Sequence, residues 1–93
     1  MVEVIFKATV DFDDIADELG IHMTDCTITD MAENGSYITV NISNERIEEL
    51  KAEIEWERGK SERRLVKLQN DLRILELLRS LVPCDSILVF VFW

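Results

Sequence analysis

Apolar and polar residues alternate almost strictly over residues 2–12, Val-Glu-Val-Ile-Phe-Lys-Ala-Thr-Val-Asp-Phe. Val2, Val4, Phe6, Ala8 and Val10 share one face, Glu3, Lys7, Thr9 and Asp11 the other, and Ile5 is the exception on the wet side. A period of two in β-branched and aromatic residues predicts a strand with one buried face. Asp11 or Asp13 can then cap a short helix reaching Leu19, with Ile15, Ala16 and Leu19 as its apolar stripe. Gly20 stands where a left-handed C-terminal residue is expected. The Thr-rich segment 24–31 predicts a second strand, and Ala32-Glu33-Asn34-Gly35 a tight turn. Ser36–Ile42 completes a hairpin, with Ile38, Val40 and Ile42 on one face and Tyr37, Thr39 and Asn41 on the other.

From Ser43 to Val82 the period changes to that of a helix. Ile47, Leu50 and Ile54 form one stripe, and Leu65, Leu68, Leu72 and Leu75 form another. A reversal near Gly59-Lys60 would pair Ile47 with Leu72, Leu50 with Leu68 and Ile54 with Leu65, with Ser61 capping the second arm. Charge agrees, because residues 45–57 carry six acids and two bases whereas 58–73 carry six bases and two acids. The same matching arises if two continuous helices pair antiparallel across a dimer axis, so a long helix over 44–82 is the alternative to a hairpin.

Pro83 stops the last helix, and Ser86–Trp93 reads as a final strand with no polar face. The expected fold class is therefore α+β, in one domain over 1–93. It is a four-stranded antiparallel sheet in β-α-β-β-α(α)-β order, a ferredoxin-like plan with its helices on one face. That plan puts the last strand at a sheet edge beside the first. An exposed apolar edge invites aggregation and needs a cover. A second copy of the chain is the economical one, giving a homodimer with Ile5, Leu88, Val89, Phe90, Val91, Phe92 and Trp93 at its interface.

Charge is the most specific feature. The chain holds 19 acids and 10 Lys plus Arg, a net charge of -9. Residues 1–44 contain nine of those acids and one base, and no Lys or Arg occurs between Lys7 and Arg46. Direct nucleic-acid binding by such a surface is disfavoured, since phosphate contacts need positive charge. The plainer interpretation is a solvated face that maintains solubility. The functional one is a docking surface for a basic protein, built from Asp11, Asp13, Asp14, Asp17, Glu18, Asp25, Asp30 and Glu33, with Trp56 as an aromatic anchor. Such carboxylates can imitate nucleic-acid phosphates and occupy a partner's nucleic-acid groove, a strategy of small phage-type inhibitors by analogy. The bases Arg58, Lys60, Arg63, Arg64 and Lys67 read mainly as the complement of the acidic arm.

Enzyme chemistry finds little support. There is no Gly-rich phosphate loop, HExxH or GxSxG, and His22 is the one histidine. Asp11, Asp13 and Asp14 begin like a calcium loop, but Ile15 and Ala16 occupy the places of further ligands and the turn glycine. No metal or cofactor is assigned. Cys26 and Cys84 lack metal-ligand spacing and read either as two reduced thiols or as one bridge. No apolar run approaches the roughly 18 residues of a membrane span, and the first residues do not resemble a leader, so the expected setting is the cytoplasm. The function expected is an acidic binding module that inhibits or regulates a basic partner. The alternatives are a structural or assembly homodimer and, last, a carboxylate-metal enzyme.

Overall fold

A computed structural model describes residues 9–28 and 35–91. Their order is β1 (Thr9–Asp11), α1 (Phe12–Leu19), a 3-10 turn (Met23–Asp25), β2 (Ser36–Asn41), α2 (Asn44–Glu57), α3 (Glu62–Leu81) and β3 (Ser86–Val91). Among the described residues the sheet has three strands in the order β1-β3-β2, with β1 parallel and β2 antiparallel to β3. This overturns the four-stranded antiparallel, ferredoxin-like expectation. The fold remains α+β, with a mixed sheet and three helices.

The physical reason lies in β3. Its apolar character on both faces marks a strand flanked on both sides, and β3 is the centre of the sheet, not its edge. Ile87, Val89 and Val91 point into the core with Phe12, Ile15, Leu50, Ile74 and Leu78, while Leu88 and Phe90 are half-buried on the opposite face. Val89 and Val91 are thus consumed by this chain's own packing. The exposed-edge argument for covering the last strand with a second copy loses its premise. Ile5, Phe92 and Trp93 lie outside the described residues.

β2 keeps the alternation expected of it, with Val40 buried and Tyr37, Thr39 and Asn41 exposed. Its strand partner among the described residues is β3, however, with Tyr37 opposite Phe90 and their ring centroids 4.9 Å apart. In the segment expected to be the second strand, residues 24 and 25 belong to the 3-10 turn, and residues 29–34 lie outside the described residues. His22 favours that turn, since its Nδ1 accepts from the Thr24 amide. Thr27, read as a strand residue, gives its amide and hydroxyl to the carboxylate of Asp71, 2.8 Å from the amide to Oδ1.

The chain reverses between α2 and α3, so 44–82 is a helical hairpin. Gly59 takes φ +81°, a left-handed conformation that favours glycine, and Ser61 caps α3 by accepting from the Arg64 amide. Ser43 caps α2 in the same way through Arg46. Ile47, Leu50, Ile54 and Leu68 are buried along the seam, and Leu65 and Leu72 pack against them. Full burial of each such side chain contributes about 1.5–3 kcal/mol. Cys26 is buried and Cys84 half-buried. Among the described residues no helix is long and apolar enough to cross a membrane.

Candidate acidic docking surface

α1 forms because Phe12 and Ile15 bury into the core, with Ala16 and Leu19 packed against it, while Asp13, Asp14, Asp17 and Glu18 face solvent. Asp11 holds the N-cap backbone geometry without a side-chain cap bond, and Gly20 ends the helix at φ +66°. Asp13 and Asp14 in the first turn complement the helix dipole. Asp17 and Glu18 do the opposite: they put negative charge in the last turn, which holds no base. They also repeat the sign of Asp13 and Asp14 four residues earlier, a spacing at which like charges destabilise a helix. The guanidinium of Arg73 on α3 partly offsets this by donating to the Leu19 carbonyl at 2.8 Å.

The carboxylates of Asp11, Asp13, Asp14, Asp17 and Glu18 are exposed, and none joins an ion pair among the described residues. The hairpin differs. Arg46 pairs with Glu49 and Glu53, Lys51 with Glu48, Arg58 with Glu55, and Arg64 with Glu57 across the reversal. Of the bases at and after the reversal, Arg58 and Arg64 thus meet acids of α2, whereas Lys60, Arg63 and Lys67 form no ion pair among the described residues.

The other expected docking residues do not join α1. Asp25 borders a shallow depression at the start of α3, with Thr24, Glu62, Arg63, Val66 and Lys67. Its backbone carbonyl accepts from Asn70 Nδ2 at 2.7 Å. Trp56 is on the last turn of α2, 70% exposed, with the Lys60 ammonium 3.4 Å from its ring centroid. It belongs to the hairpin tip and does not lodge on the sheet. Asp30 and Glu33 lie outside the described residues.

Two features escaped the sequence reading. One is a cleft of about 310 Å³ between α1 and the end of α3, lined by Val10, Asp14, Ile15, Glu18, Leu77 and Leu81. The signal was present in Leu77 and Leu81, two leucines four apart and outside the seam stripe. The other is Asp71, only 3% exposed, which clasps Thr27. An aspartate between Leu68 and Leu75 on an apolar stripe was the available hint. Together Asn70, Asp71 and Arg73 tie the segment from Leu19 to Thr27 onto α3.

Among the described residues no group of three or more His, Cys, Asp or Glu is placed to hold a metal ion. Comparison of the chain with protein-family models, curated proteins and solved structures finds no match.

Proposed function

We propose that this chain is a small acidic binding module that docks a cationic surface of a partner protein through α1, with a nucleic-acid-binding surface as the chemistry it fits best. The observation that carries this reading is the contrast in pairing: α1's carboxylates stand exposed without a basic partner among the described residues, whereas five of the six acids of α2 are met by bases of the hairpin. Asp17 and Glu18 add support, because they stand where they cost the helix stability.

The test is affinity capture from host lysate at low and high salt. It uses the wild-type chain beside Asp13→Lys, Asp14→Lys, Asp17→Lys and Glu18→Lys combined. A partner that binds through α1 is released by salt, lost on charge reversal and displaced by duplex DNA. A partner held equally by both proteins at both salts would refute the reading.

A further inference from the structure

Beyond a foreign partner, we infer that the cleft between α1 and the end of α3 receives the start of α3 from a second copy of this chain, giving head-to-tail self-association. The two surfaces are complementary in charge and in apolar content. The cleft offers Leu77 and Leu81, the latter 65% exposed, beside Asp14 and Glu18. The start of α3 offers Val66, 49% exposed, beside Arg63 and Lys67. Asp14 and Glu18 are four residues apart on a helix, as are Arg63 and Lys67, so each pair spans about 6 Å along its axis. Two carboxylates one turn apart therefore match two cations one turn apart, with an apolar contact alongside.

A single molecule cannot make this contact. Val66 and Leu81 are both on α3, about 22 Å apart along one straight helix. The match can be satisfied only between molecules, and an interface of this kind generates rings or open chains rather than a closed twofold dimer. The depression at the start of α3 holds Asp25 and Glu62 beside Arg63 and Lys67, yet no ion pair joins them among the described residues, which leaves both cations available. The patches are small and the net charge of -9 opposes approach, so the association is weak.

Charge swapping tests it. One variant carries Asp14→Lys with Glu18→Lys, the other Arg63→Glu with Lys67→Glu; Asp14, Glu18 and Arg63 are exposed and Lys67 is half-buried, and circular dichroism verifies folding. Sedimentation is followed at about 0.15 M salt, where the Debye length of about 8 Å screens the net charge but spares contact pairs. The wild type should gain mass with concentration up to about 1 mM. Each variant alone should associate at least about tenfold more weakly, and an equimolar mixture should associate again. A wild type that stays monomeric overturns the inference, as does either variant self-associating like the wild type or a mixture that fails to recover. Arg63→Glu with Lys67→Glu leaves α1 intact, so partner capture by that variant is scored independently of self-association.

Discussion

α1 places four acids on eight residues and carries no base, whereas the α2–α3 hairpin interleaves acids with arginines and lysines within reach of one another. Both regions have a buried apolar side and an exposed charged side. They differ in what the charge is matched to. Along α2 most of it is matched locally, and Arg63 and Lys67 at the start of α3 leave a small basic spot unpaired among the described residues. In α1 it is matched to nothing among the described residues, and part of it opposes the helix dipole. Counting carboxylates hardly separates α1 from α2, with four on 8 residues against six on 14; asking where each finds a cation does.

The comparison can be broken most severely on the hairpin's apolar seam. Leu50 is nearly fully buried, and Leu50→Ala should cost about 2–5 kcal/mol in chemical denaturation. A cost below about 1 kcal/mol would mean that the hairpin depends on its ion pairs after all. Next is the clasp behind α1. Asp71→Ala leaves the Thr27 amide and hydroxyl without their acceptor and should cost about 1–3 kcal/mol. Hydrogen exchange should then rise over residues 19–27 before it rises in β3, and uniform loss of protection would contradict the clasp. Asp17→Lys with Glu18→Lys should act in the opposite direction, raising stability by roughly 0.3–1 kcal/mol for each site at low salt while weakening partner capture. If stability falls instead, these acids serve the fold and not a partner. The smallest effect belongs to Arg64→Ala, which removes the pair with Glu57 across the reversal and should change stability by about 0–1 kcal/mol.

What the sequence revealed and what it concealed follow from the range of the signals. The helical character of 44–82 and its matched stripes were legible because that evidence is local, but the reversal was not: the same matching fits two continuous helices paired across a dimer axis, and only the structure decides for the hairpin. β2 and the ends of α1 were legible from local signals as well. Sheet order was not, because the order of strands along a chain does not determine their order in space. The both-faced apolar run of β3 argued for an interior strand, and a borrowed plan of element order moved it to the edge. Thr27 misled in a different way. Its β-propensity is real, but a buried carboxylate 44 residues away claims its donors. The acidic character of α1 could be read at once, whereas its lack of a cation partner could be seen only in three dimensions.

The central place of β3 has a consequence for folding. Among the described residues, β1 and β2 touch no other strand, and the strand that joins them lies far from both along the chain. Every ladder between described strands therefore waits on contacts distant in sequence, whereas the helices can form from local ones, so the sheet is the slow part of the structure to assemble.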